Sequence, residues 1–194
     1  MQNPAEKFRE LYPYVTEEDL ELLLSVSELR EFKAREKVVQ LGDDSYNNYM
    51  VLQGVLRTYT LGRNGEEKTL FLAGEGMNTG SMDNLLFKRP AQEEIMAVVD
   101  TWAVVTDLQK LEELSLKNIG LMRLHRDAYK LNLKEAIERL TFYTKLQPKD
   151  RYDELLKKHP DLIKHVPQKY LASYLGMTPV SLSRIRGRYA RSKK

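Results

Sequence analysis

The residues of this chain best suited to chemistry are basic and lie near one end. Within PQKYLASYLGMTPVSLSRIRGRYARSKK, which begins at Pro167, the side chains of Val180, Ser181, Arg184 and Arg188 fall on one side of a helix, with Arg186 nearby. Arginine bonds a guanine edge bidentately, serine reaches a base edge or a phosphate, and valine offers only apolar contact, such as to a thymine methyl. These types in this pattern suit the reading of duplex DNA, with Arg184 the principal base reader. Gln168, Lys169 and Thr178 stand at or near helix starts, where unpaired backbone N–H groups favour phosphate. Taken singly, Arg186, Arg188, Arg191, Lys193 and Lys194 read equally well as solvated charge.

Such a reading helix needs a scaffold, and the preceding residues supply one. Leu171, Leu175, Leu182 and Ile185 form the small core expected between two steeply crossing helices. Ala172 is small where the second helix must cross. Gly176 allows the left-handed backbone that ends the first helix and makes the turn. Thr178 is placed to cap the second helix, with Pro179 in its first turn. Apolar, small and glycine positions agree in one register, so residues 168–187 are expected to form a helix-turn-helix.

Charge supports this placement. From Lys145 to Lys194 there are 13 Lys and Arg against 4 Asp and Glu, a net of +9, while residues 1–144 carry 18 against 24, a net of −6. A basic end on an acidic body is the footprint of nucleic-acid binding. Other chemistries find little support. The chain has no cysteine, which excludes disulfides, thiolate metal sites and cysteine nucleophiles. Its three histidines, His125, His159 and His165, form no metal-ligand pattern, and no catalytic constellation or phosphate loop is present. No enzymatic activity, metal or cofactor is therefore expected. The N-terminus lacks the pattern of a signal peptide, and no apolar run approaches the ~20 residues of a membrane span, so a cytoplasmic protein without membrane association is expected.

The remainder divides by pattern. Residues 4–28 predict a helix, with Thr16 and Asp19 as a capping pair. Residues 29–109 hold short runs (KVVQLG, NYMVLQG, VLRTYTLG, KTLFLAG, IMAVV, TWAVVTDL) separated by turn signals, including Asn64-Gly65. Close-set strands without intervening helices predict an antiparallel barrel or sandwich. Residues 117–146 predict one long helix with two apolar faces. Tyr129, Leu133, Ala136, Leu140 and Tyr143 make a heptad-like stripe suited to a partner, and Leu121, Leu124, Ala128 and Leu131 lie on a neighbouring face. Pro148 ends or kinks this helix, and a further helix over 150–158 stops at Pro160.

In this order of elements, and in the stretches YMVLQGVLRTYT, RNGEEKTLFLAGEG and VPQKYLASYLGMTPVSLSRIR, the chain resembles the Crp/Fnr family of bacterial transcription regulators over roughly residues 20–190. The resemblance implies an α+β fold. A jelly-roll-like antiparallel β-roll with flanking helices occupies 1–116, a long dimerisation helix 117–146, and a winged-helix-like domain with the helix-turn-helix 147–194. The six residues after Arg188 are too few for a strand hairpin, so any wing would precede residue 166. The resemblance further implies a homodimer on a two-fold symmetric operator, RNA polymerase as a further partner, and a small-molecule effector in the β-roll. Cyclic-nucleotide binders of the family carry Gly-Glu for the ribose and an Arg for the phosphate. Here Gly80 is followed by Ser81, and Glu93 stands where the Arg is expected, which leaves Arg89 as the substitute. The effector candidates are thus Gly80, Ser81 and Arg89, and cyclic AMP is not expected. Arg57, Tyr59 and Lys68 read either as lining an anion pocket or as exposed strand positions. The competing reading is a β-roll ligand sensor whose C-terminal helices serve protein contacts rather than DNA.

Overall fold

The computed structural model describes residues 12–192, with side chains through Tyr189. Phe8 and Leu11 of the expected first helix, the Arg191 side chain, Lys193 and Lys194 lie outside the described residues. Helix α1 (Glu17–Ser25) starts on the expected reciprocal cap: Thr16 Oγ1 accepts from Asp19 N, and the Asp19 carboxylate accepts from Thr16 N. It ends at Ser25 rather than 28, because Ser27 and Glu28 open strand β1.

Eight strands follow: β1 (Ser27–Phe32), β2 (Lys37–Val39), β3 (Asn47–Gln53), β4 (Leu56–Leu61), β5 (Glu67–Ala73), β6 (Asn78–Thr79), β7 (Glu94–Ala97) and β8 (Thr101–Asp107). They form two antiparallel sheets, ordered β1-β8-β3-β6 and β2-β7-β4-β5. Strand β3 alternates buried and more open positions, whereas all four residues of β7 are buried. Phe32, Val39, Tyr49, Val51, Leu56, Ile95, Ala97, Ala103 and Val105 fill the space between the sheets. Helix α2 (Met82–Phe87) lies between β6 and β7 in sequence. Residues 62–66 make the β4–β5 turn, with Gly65 at φ +73°.

Helix α3 (Leu108–Ser115) precedes the long helix α4 (Ile119–Lys145). Asn118 caps α4, accepting from Leu121 N at 2.9 Å. Its two faces separate as expected. Leu121 and Leu124 bury with Leu111 against Val15, Leu22 and Leu23. The other face stays open, with Leu133 63%, Ile137 56% and Leu140 66% exposed, in line with Ile119, Met122 and Tyr129. Tyr143, expected in that stripe, instead turns toward the C-terminal helices (below).

Helices α5 (Pro148–Lys158), α6 (Pro160–His165), α7 (Gln168–Tyr174) and α8 (Pro179–Ser192) complete the chain. Pro148 and Pro160 each sit in a first helical turn, where a missing N–H costs nothing. Pro160 thus begins a helix as well as ending one. Among the described residues no strand follows Asp107, so the C-terminal region is built from helices alone. Its core is shared with the β-roll: Val55, Leu72 and Val98 pack in one cluster with Tyr152, Leu155, Leu162, Leu171, Leu175 and Leu182.

Candidate nucleic-acid interface and β-roll pocket

The helix-turn-helix is α7 and α8. Leu171, Ala172, Leu175 and Leu182 are buried between them, with Ile185 and Met177 packed alongside. Gly176 makes the turn at φ +66°; a Cβ there would also stand 2.9 Å from Arg151 Nη1. Thr178 begins α8 as expected, its Oγ1 accepting from Ser181 N at 3.1 Å. Gln168 Nε2 donates to Pro179 O at 2.8 Å and ties the two helix starts together.

On this scaffold Val180, Ser181, Arg184 and Arg188 are all exposed on one side of α8. At 3.6 residues per turn Arg186 leaves from about the opposite side, exposed but apart from them. Lys169 is exposed beside Gln168. A rigid helix therefore presents an apolar contact, a hydroxyl and two guanidinium groups together, which is the chemistry of a base-reading surface.

Two further arginines, which the sequence did not single out, hold α7 against α4. Arg139 Nη2 donates to Tyr174 O at 2.8 Å and to Tyr143 Oη at 2.6 Å, and its guanidinium lies 3.5 Å from the Tyr174 ring centroid. Burial lowers the pKa of Arg139 and raises that of the Tyr143 hydroxyl, which itself donates to Tyr174 O. Arg151 Nη1 donates to Leu175 O at 2.8 Å and its Nε to Leu146 O at 3.1 Å. The carbonyls left open at the end of α7 are thus satisfied by cations, which also suit the negative end of a helix.

In the β-roll, Gly80 is buried, and a Cβ there would lie 2.7 Å from Leu85 Cδ1 and 2.9 Å from Asn47 O. Ser81 is buried and caps α2, its Oγ 3.3 Å from Asn84 N. Glu93 is also buried, and its Oε1 accepts from Met82 N at 2.7 Å. The backbone donor at the start of α2 is therefore already taken by a carboxyl group of the chain itself. Arg89 lies away from this place: it is exposed, with its Nε 2.5 Å from Asp83 Oδ1 and its guanidinium over Phe87. Among the candidates Gly80 and Ser81 lie together, and Arg89 does not join them.

Nearby, Tyr59 Oη donates to Glu94, which also pairs with Lys37 at 2.8 Å. Burial alone would raise the Glu94 carboxyl, but hydrogen bonds from Lys37 and Tyr59 outweigh it and hold its pKa below the usual value. Arg57, read from sequence as either pocket-lining or exposed, is wholly buried.

Residues 29–118 match the family model of the cyclic nucleotide-binding domain. No curated protein is similar to the chain in sequence. Among solved structures, FixK2 from Bradyrhizobium japonicum is similar over 87% of this chain and 86% of its own, at 16% identity and a TM-score of 0.72. The c-di-GMP responsive global regulator CLP of Xanthomonas campestris is similar over 90% and 91%, at 20% identity and a TM-score of 0.65. A Crp/Fnr family transcriptional regulator of Thermus thermophilus, TTHA1359, is similar over 85% and 87%, at 19% identity and a TM-score of 0.60.

Proposed function

We propose that this chain, whose fold is that of the Crp/Fnr regulators, works as a transcription regulator of that type: a homodimer that reads a two-fold symmetric DNA site with α8. One observation carries the reading. Val180, Ser181, Arg184 and Arg188 stand exposed together on a helix that Leu182 and Ile185 lock into a helix-turn-helix core. Arg184 reads a base, Ser181 a base edge or phosphate, and Val180 makes apolar contact; Lys169 and Arg188 supply charge for the backbone, while Arg186, on about the opposite side of α8, stays solvated. Thr178 and Gln168 hold the start of α8 in place and bring phosphate-facing polar groups to it.

The dimer forms along α4. An exposed apolar row of Ile119, Met122, Tyr129, Leu133, Ile137 and Leu140, spaced by three, four and seven residues, suits a second copy of the same helix. In a two-fold dimer each α8 faces a successive major groove.

In this reading cyclic AMP is not the effector of the β-roll. A phosphate near the start of α2 would have to displace the Glu93 carboxylate from Met82 N, and Arg89 is turned outward onto Asp83. Calorimetric titration of the protein with cyclic AMP is expected to show no saturable heat; saturable binding at one site per chain would overturn this part. For DNA binding itself, duplexes selected from a random pool should converge on a palindrome. A pool with no enrichment, together with capture of the chain by protein contacts alone, would favour the β-roll as a sensor acting without DNA.

A further inference from the structure

The most unusual group among the described residues is Arg57, on β4, whose guanidinium is 0% exposed. Nη1 donates to Glu67 Oε2 at 2.7 Å, Nε to Thr69 Oγ1 at 2.9 Å, and Nη2 has no hydrogen-bond partner. The guanidinium carbon lies 4.2 Å from the Tyr59 ring centroid on one side and 3.9 Å from that of Tyr170 on the other. Tyr59 belongs to the β-roll, but Tyr170 belongs to α7 of the helix-turn-helix. About one turn further along α7, Ser173 Oγ accepts from Thr69 N at 2.8 Å and lies 3.4 Å from Glu67 O. It thereby occupies backbone groups of β5, the edge strand of its sheet.

Stability alone does not account for this arrangement. A buried cation with one unpaired donor is costly, and an apolar side chain of similar size commonly serves the core as well or better. What a buried, paired cation supplies is registry. Two aromatic faces and a directional ion pair accept one placement of α7 on β5, whereas an apolar contact slides. On its other side α7 is held to α4 by Arg139, Arg151 and Tyr143. Since α8 is packed on α7, the direction of the reading face follows from where α7 sits.

We propose that Arg57 is a positioning residue for DNA recognition: gripped between Tyr59 and Tyr170, it sets the angle at which the helix-turn-helix leaves the β-roll, and so the half-site spacing that the dimer accepts. This rests on the DNA-binding reading above. It requires no effector, because the latch is made within one chain.

The test is affinity across a series of palindromic duplexes whose half-sites are moved apart one base pair at a time. The wild type and Tyr170→Phe, which keeps the ring over the guanidinium, are expected to share one sharp optimum. Tyr170→Leu and Arg57→Met should bind the best spacing about tenfold more weakly, the size of one lost base contact. They should lose less at neighbouring spacings, which flattens the curve. Their thermal midpoints should stay near that of the wild type. A sharp, unshifted optimum in both variants overturns the latch and leaves the DNA-binding reading intact. Failure of the wild type to bind any duplex overturns both. Unfolding of both variants makes Arg57 a stability element and also overturns the proposal.

Discussion

At the scale of single residues, the two kinds of side chain in the helix-turn-helix should fail differently. Arg184 is exposed and makes no packing contact in the core cluster, so its removal leaves the fold untouched. Arg184→Ala is expected to weaken the best site by about 1–3 kcal/mol and to relax one base position per half-site, without moving the thermal midpoint. Leu182 is wholly buried between α7 and α8. Leu182→Ala should cost about 2–5 kcal/mol of stability, read by denaturant unfolding, and should weaken all sequences alike. The sequence separated the two positions because helical spacing distinguishes an inner from an outer row. It left the role of Arg57 open for an equally physical reason. Alternation along a strand tells which side a residue faces but not what covers that side. Tyr170, which covers Arg57, is distant in sequence and comes from an element with its own periodicity.

At the scale of elements, α4 is the piece whose second face is left exposed, and the proposed dimer covers it. Leu133, Ile137 and Leu140 expose more than half their surface each on one side of a long helix. If the dimer forms there, a charge placed on this row is desolvated without compensation. Ile137→Glu combined with Leu140→Glu is therefore expected to give a folded monomer in sedimentation analysis, with far weaker binding to a palindrome; an unchanged dimer would place the interface elsewhere. The sequence located this helix and both of its faces, since Leu121 and Leu124 bury as expected. It misjudged the end of the stripe. Tyr143 satisfies the carbonyl of Tyr174, and Ile137 takes a place in the exposed row. Six of the eight strands correspond to the apolar runs read from sequence. Strand β1 escaped notice because SELREF is exposed at all but its ends, so its charges continue the pattern of α1. Strand β6 is only two residues long and leaves no pattern to read. Helix α3 was likewise hidden, as LQKLEELS follows directly on the last strand run.

At the scale of the whole molecule, charge and architecture agree. A net of +9 over residues 145–194 against −6 over the rest puts the basic excess on the segment that carries α8, the proposed reading helix. Binding should therefore fall with added salt, with a log–log slope near −0.9 for each phosphate neutralised. The β-roll keeps the architecture of its family model, and at the start of α2 Met82 N already donates to Glu93 of the same chain. Sequence set Ser81 and Glu93 apart from the pattern of the cyclic-nucleotide binders. It could not show that Glu93 turns onto Met82 N, because that depends on how β7 lies against α2. The central claim is that α8 of a dimer reads DNA. The most direct test titrates wild type and Arg184→Ala against the selected palindrome and a scrambled duplex at two salt concentrations. The account predicts two chains per palindrome, tight binding that weakens with salt, and a deficit of about 1–3 kcal/mol for the variant on the palindrome alone. Equal affinity of both proteins for both duplexes would contradict it.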